Sequence, residues 1–494
     1  MTAHKPRIFL VGLLATVALA ASGCGGGGTS GVSSESGASL VTANALAFVS
    51  VDTDLGSSQW QQVDDLSHKF PGRDKALAQL KQELARDNLD WDRDIDPALG
   101  PEVDIAVARG PTLDKTAVAF LTKPDDADKF KQLVKKLDGT DSNPNEAVYR
   151  EVDGWYVVAE DKAAIDRVLK GSDKALSDNR TFEDALGKLP DDALAKAYVN
   201  GEQLAGLIRA AAQESSTPLD PSAVGLDRLD FIAASLGAED DGVRLKGAVS
   251  GSGSSPFGAG NYASKLIDGV PGDALAFLTF RGGGTTEQLQ KLQSNPSLAP
   301  GLQQLETMLG VSFGDILDLF TNEVAFYARP GAVIPELSLV LDPNDRAKAL
   351  ATLDKLAARI AAASGGHVSS GTQAGHQVKT IDFGQFAVHY AALDGKVMIT
   401  SGVNGIADYG SGPKLTESAN FKEAKAAAGL PDSNGGFIYL DLESAIPMIE
   451  SFAGLAGEAP PKEVSANLRP LRSFVAWTAG SGDTRTFDVF LEIK

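Results

Sequence analysis

Ala45-Leu46-Ala47-Phe48-Val49-Ser50-Val51 is a short apolar run rich in strand formers, and its first four residues return as Ala274-Leu275-Ala276-Phe277. A run of this length and composition reads as a strand. Its recurrence opens an ordered series. Asp94-Ile95 and Glu102-Val103 return without a gap as Asp315-Ile316 and Glu323-Val324. Phe120-Leu121, then Pro124-Asp125-Asp126, returns as Leu339-Val340, then Pro343-Asn344-Asp345. Asp153-Gly154 before Val157-Val158 matches Asp394-Gly395 before Met398-Ile399. Leu176 and Phe182-Glu183-Asp184-Ala185 match Leu415 and Phe421-Lys422-Glu423-Ala424. Leu189-Pro190-Asp191 and Tyr198-Val199-Asn200 return as Leu430-Pro431-Asp432 and Tyr439-Leu440-Asp441. The order is the same and the offsets stay between 219 and 241 residues. Each match alone is trivial, but the ordered set points to two tandem homologous halves, residues 40–250 and 262–494, joined by a Gly/Ser-rich linker over 251–261.

Within the first half, Gln59–Phe70 and Asp74–Asp87 have helical spacing, with Leu77, Leu80 and Leu84 on one face. Glu102–Ala108 and Thr116–Thr122 read as adjacent strands around Gly110-Pro111. Asp126–Leu137 is a helix with a stripe of Phe130, Leu133, Val134 and Leu137. Ala147–Glu151 and Trp155–Ala159 flank Asp153-Gly154, a hairpin turn. Helices at Lys162–Leu169 and Thr181–Lys188 follow, then a strand at Leu194–Val199, a helix from Gly201, and strands at Asp230–Leu236 and Val243–Ser250. Tightly connected strand pairs predict an α+β fold in which each half is a largely antiparallel sheet with helices packed on it. The opening strand, Asp94-Ile95…Leu99-Gly100, and Leu189-Pro190-Asp191 before Tyr198 together resemble the domain of unknown function family 3352 of secreted bacterial proteins. The second half departs at the Leu-Gly step, having Phe320-Thr321. The resemblance implies an extracytoplasmic α+β protein and carries no catalytic residues.

The start of the chain is an address. Residues 1–24 carry Lys5 and Arg7, an apolar run from Ile8 to Ala21, then Ser22-Gly23-Cys24. That run is too short to span a bilayer as a stable helix and reads as a secretory signal, residues 1–23. The small residues before Cys24 resemble the lipobox of bacterial lipoproteins, with Ala21 where Leu is commoner. The resemblance implies cleavage before Cys24 and a diacylglycerol anchor on its thiol. Residues 24–39 have almost no apolar side chains and read as a flexible tether. Removing the 23 residues before Cys24 leaves 471, and losing Lys5 and Arg7 takes the net charge from −20 to −22. Such a charge argues against nucleic acid as a partner and makes the lipid, rather than a basic patch, the link to a membrane.

The chain's 494 residues favour more than one core, and a single cysteine excludes a disulfide framework or a thiolate-rich zinc site. Candidate chemistry is sparse. Asp90, Asp92, Asp94 and Asp96 alternate, but Ile95 or Pro97 stands where a calcium loop needs glycine, so a solvated turn is expected. His367, His376 and His389 show no converging metal set; two exposed loop histidines and one strand histidine are expected. No G-x-S-x-G elbow occurs, and Arg281-Gly282-Gly283-Gly284-Thr285 lacks the lysine of a phosphate loop. Glu202 and Glu443 occupy matching places after Asn200 and Asp441. As an acid–base pair they would need to converge; as first-turn residues behind N-caps they need nothing more. No catalytic residue, metal site or cofactor is assigned. The expectation is a non-enzymatic, membrane-anchored binding or interaction protein of the cell envelope, with an envelope protein or apolar ligand as partner. The alternatives are a hydrolase with a dispersed site and a carrier of a lipid or other apolar ligand.

Overall fold

The Ala45–Val51 run becomes strand β1 (Ala47–Asp52), flanked on both sides by antiparallel partners in the computed structural model. The described residues are 36–110, 112, 115–138, 148–214, 228–251, 260–282, 299–331, 334–455 and 457–494. The signal, Cys24 and most of the 251–261 linker therefore lie outside them. The chain divides into two units, one running to Ser252 and including Ile493–Lys494, the other Gly253–Glu492.

In unit 1, β1 is followed by helices α1 (Ser58–His68) and α2 (Arg73–Arg86), strands β2 (Glu102–Ala108) and β3 (Ala117–Thr122), and helix α3 (Ala127–Asp138). Then come β4 (Val148–Val152), β5 (Trp155–Ala159), α4 (Lys162–Val168), α5 (Arg180–Leu186), β6 (Ala195–Asn200), α6 (Gly201–Glu214), β7 (Leu229–Glu239) and β8 (Gly242–Gly251). The strands pair antiparallel in the order β4-β5-β3-β2-β1-β6-β7-β8. Asp153 (φ 51°) and Gly154 (φ 82°) make the left-handed two-residue turn between β4 and β5, the geometry that matches strand twist. Helix starts are capped as the sequence implies: Asp161 accepts from Ala164 N–H at 2.7 Å and Asn200 from Gln203 N–H at 3.1 Å.

In unit 2, β9 (Ala276–Arg281) precedes α7 (Ala299–Leu309), β10 (Glu323–Arg329), β11 (Glu336–Leu341) and α8 (Arg346–Ser364). Strands β12 (His367–Gln373), β13 (His376–Asp382), β14 (Ala387–Leu393) and β15 (Lys396–Thr400) follow, then α9 (Ala419–Ala428), β16 (Gly436–Asp441), α10 (Leu442–Leu455), β17 (Leu471–Ser481) and β18 (Thr484–Ile493). The pairing runs β12-β13-β14-β15-β11-β10-β9-β16-β17, all antiparallel.

Each unit buries one sheet face beneath short helices. In unit 1, Phe48, Phe182 and Tyr198 meet Ile165 and Leu176 there. Phe182 stands edge-on to Tyr198 at 5.1 Å and 87°, and in unit 2 Phe421 stands edge-on to Tyr439 at 5.1 Å and 84°. Full burial of one such ring contributes about 1.5–3 kcal/mol. The Leu-Gly difference has a backbone cause. Gly100 takes φ +74°, and a side chain there would collide with the Lys123 carbonyl, whereas Thr321 sits in the ordinary right-handed region at φ −70°.

Three expectations need correction. Ser36–Ser39, assigned to the tether by composition, are packed: Gly37–Ser39 form a helical turn, Ser36 and Ala38 are buried, and a side chain at Gly37 would collide with the Asp104 carboxyl. The Asp90–Asp96 segment is not merely a solvated turn. Asp94 is buried, accepting from Arg93 at 2.8 Å and Lys136 at 2.7 Å, and the Arg93 hydrogen bond holds its carboxyl well below the usual range. His367 and His376 lie on strands β12 and β13 rather than in loops.

Candidate functional site

Side chains on a strand alternate between faces, and residues directly opposite on neighbouring strands share one. On the covered face of unit 1, the row Ala106-Phe48-Tyr198-Ala233-Ala248 crosses β2, β1, β6, β7 and β8, and none of its members is more than 2% exposed. The opposite face is equally apolar. One row is Val118-Val107-Ala47-Val199-Ile232-Val249, the next Phe120-Ile105-Val49-Ala197-Ala234-Gly247, the third Thr122-Val103-Val51-Ala195-Leu236-Leu245. Six strands at the usual spacing make each row roughly 24 Å long.

This second face is covered at one end. Leu84 of α2 and Phe130 and Leu133 of α3 pack against Tyr156 and Val158, with Phe120 beside them. Farther along, on β1, β6 and β7, no side chain of the three rows is buried. Val118 and Leu236 are each 40% exposed and Leu245 37%. Unit 2 repeats the arrangement. Its rows Leu339-Phe326-Leu278-Ile438-Ala476 and Leu337-Ala328-Ala276-Leu440-Phe474 are half-buried or exposed, while α8 covers the β11/β15 end through Leu353 and Ala357. A contiguous apolar surface with this little cover is what ligand grooves and docking faces present.

The ionisable groups cluster on the covered face. Asp104 of β2 lies opposite Ser50 of β1 and is fully buried, with Glu102 beside it on the same strand. Burial first, then the Glu102 carboxylate, pushes Asp104 well above the usual carboxylate range; burial also raises Glu102. Ser50 and the Gly37 backbone offset this only in part, and neither Asp104 oxygen, nor Glu102 Oε1, makes a close hydrogen bond among the described residues. Burial and their mutual repulsion thus disfavour ionising both groups together. Glu323, the unit 2 match of Glu102, is differently placed. It accepts from Lys265 N–H at 2.9 Å, Leu266 N–H at 3.2 Å, Thr279 Oγ1 at 3.2 Å and Ser264 Oγ, and Ala325 stands where Asp104 would be. A cavity of about 100 Å³ in unit 2 is lined by Asp315, Asp318, Asn344 and Lys348, but Lys348 fills the need of its own acids at 2.9 and 2.7 Å.

A sequence profile described as "Protein of unknown function (DUF3352)" matches residues 8–493. The chain belongs to the DUF3352 family. Among solved structures it is similar to three crystal forms of TP0453. Forms IV and III each have a TM-score of 0.24 and form I 0.23, all at 12% identity, covering 46–47% of this chain and 92–93% of that one. No curated protein matches its sequence.

In this DUF3352 chain the residues singled out from sequence sit on separate elements. Glu202 and Glu443 lie in the first turns of α6 and α10, and Asp441 accepts from Ser444 N–H at 3.0 Å. Glu443 pairs with Arg472. His389 is buried on β14, its Nδ1 2.8 Å from Thr380 Oγ1, and burial lowers its pKa. Among the described residues no group of three His, Cys, Asp or Glu could hold a metal ion, and no helix is long and apolar enough to cross a membrane. Sequence reading missed the second apolar face. Its signal was in β1, where Ala47, Val49 and Val51 make one face wholly apolar while Ser50 and Asp52 lie on the other.

Proposed function

We propose that this chain is an extracytoplasmic binding protein of the cell envelope, lipid-anchored through Cys24 and without catalytic activity, which holds an apolar ligand on its partly covered sheet face. The observation that carries the ligand reading is the set of three apolar rows on β1, β6 and β7 with no buried side chain. In an ordinary core such rows would be covered by helices. The anchor rests on the basic start, the apolar run and the lone cysteine at its end. We also infer that the units arose by tandem duplication. The pairing orders β5-β3-β2-β1-β6-β7 and β15-β11-β10-β9-β16-β17 correspond strand for strand, and the Phe182–Tyr198 and Phe421–Tyr439 contacts support this.

Two experiments test the proposal. The protein purified from its native membrane should carry co-purifying lipid detectable by mass spectrometry, and an Ala197→Asp variant should carry little. Equal lipid on both would remove the face from the account. Replacing Cys24 with Ser should move the protein out of the membrane fraction; retention there would refute the anchor.

A further inference from the structure

We infer that the apolar face of unit 1 selects a single amphiphile with an anionic head, a carboxylate or a phosphate, and that Arg109 reads that head. The inference rests on the binding role proposed above and adds the ligand's charge. Arg109 directly follows β2, and the strand's alternation puts it on the side of Val107, flanking that apolar row where it crosses β2. It is exposed, and it makes no hydrogen bond or ion pair among the described residues. That leaves a guanidinium without an acidic partner at the border of an apolar surface, in a chain with 65 acidic and 45 basic residues.

The neighbouring helix is shaped around it. A side chain at Gly206, inside α6, would collide with the Arg109 guanidinium. Glycine is unfavourable within a helix, so its presence where the guanidinium crosses gives that group room against the helix. A planar guanidinium offers paired donors to a carboxylate or phosphate, while the adjoining row accommodates an acyl chain: from β2 to β8 it runs roughly 19 Å, more than the ~15 Å occupied by one leaflet's chains. The net charge of −20 disfavours a second copy of this chain as the occupant. Unit 2 lacks the device. Pro330 follows β10, and Arg329 before it is held by Asp273 at 3.0 Å and Asp408 at 2.6 Å.

The test uses the mature chain and two probes that differ only in the head, cis-9-octadecenoate and the matching alcohol, each displacing a fluorescent acyl probe. The anion should bind about tenfold more tightly to the wild type. Arg109→Gln should reduce the anion to the alcohol's affinity and leave the alcohol unchanged, Arg109→Lys should keep part of the preference, and Gly206→Ala should weaken it by moving the guanidinium. Equal affinities in the wild type, or an Arg109→Gln variant that weakens both probes alike, would overturn the role of Arg109 while leaving the apolar face as a binding surface. Failure of both probes to bind the wild type would overturn the headgroup inference together with the proposed function.

Discussion

The two faces of the unit 1 sheet are made of the same strands and both carry long apolar rows, yet only one is sealed. Phe48 and Tyr198 are 2% and 1% exposed, while Val49 and Val199, one position along each strand, remain half-buried. The covered face even carries the polar row Asp104-Ser50-Lys196-Ser235, so apolar composition alone does not decide which face is sealed; the placement of helices does. Helices α4 and α5 close the first face with Ile165 and Phe182, whereas α2 and α3 close the β3/β5 end of the second and α6 packs beside β6 and β7 without burying their three rows. An apolar strand pattern therefore reports that a surface avoids water, and the tertiary structure decides whether protein or ligand completes it.

The largest effect that would sharpen this contrast comes from one charge placed on either face. Ala106→Asp puts a carboxylate in a site that is 0% exposed and should cost more than about 4 kcal/mol or prevent folding. Ala197→Asp, on the open face, should cost no more than about 1 kcal/mol in urea unfolding. Truncating Phe182 to Ala should cost about 3–4 kcal/mol, and Phe421→Ala a similar amount, because each removes a ring from a closed core. Parity between the two alanine variants also bears on duplication, since a much smaller loss in one would separate the cores.

The acids of the covered face give smaller effects of opposite sign. Glu323→Ala removes the acceptor of Ser264 Oγ, Lys265 N–H and the buried Leu266 N–H, while Thr279 keeps Tyr262, and should cost roughly 2–3 kcal/mol. Asp104 behaves otherwise, because folding raises its pKa. Its contribution is fully present below the unfolded carboxylate pKa and is lost as pH rises through the folded value. Asp104→Asn should therefore gain stability relative to wild type as pH is raised from 4 to 8. Parallel stability curves across that range would show that Asp104 does not carry the pH dependence.

Much of the fold was legible. β2 and β5 match their predicted bounds, and the N-caps at Asn200 and Asp441 act as expected. Local pattern and capping chemistry decide such features. What was illegible depends on partners distant in sequence. Ser36–Ser39 read as tether because small polar residues carry no pattern, yet Gly37 is fitted to Asp104, 67 residues on. Asp94 read as solvated because Lys136, its second ion-pair partner, lies 42 residues away. The apolar face itself was visible as composition in β1, but not as a surface, because its cover is set by where α2 and α3 end up.

The central claim is that an acyl chain lies on this open face, and photolabelling tests it most directly. A fatty acid carrying a diazirine along its chain would be irradiated with the purified mature protein and the labelled peptides mapped by mass spectrometry. Labels should fall on the strands carrying Val49, Ile105 and Ala197 and disappear in Ala197→Asp. Labels confined to other segments, or unchanged in that variant, would contradict the account.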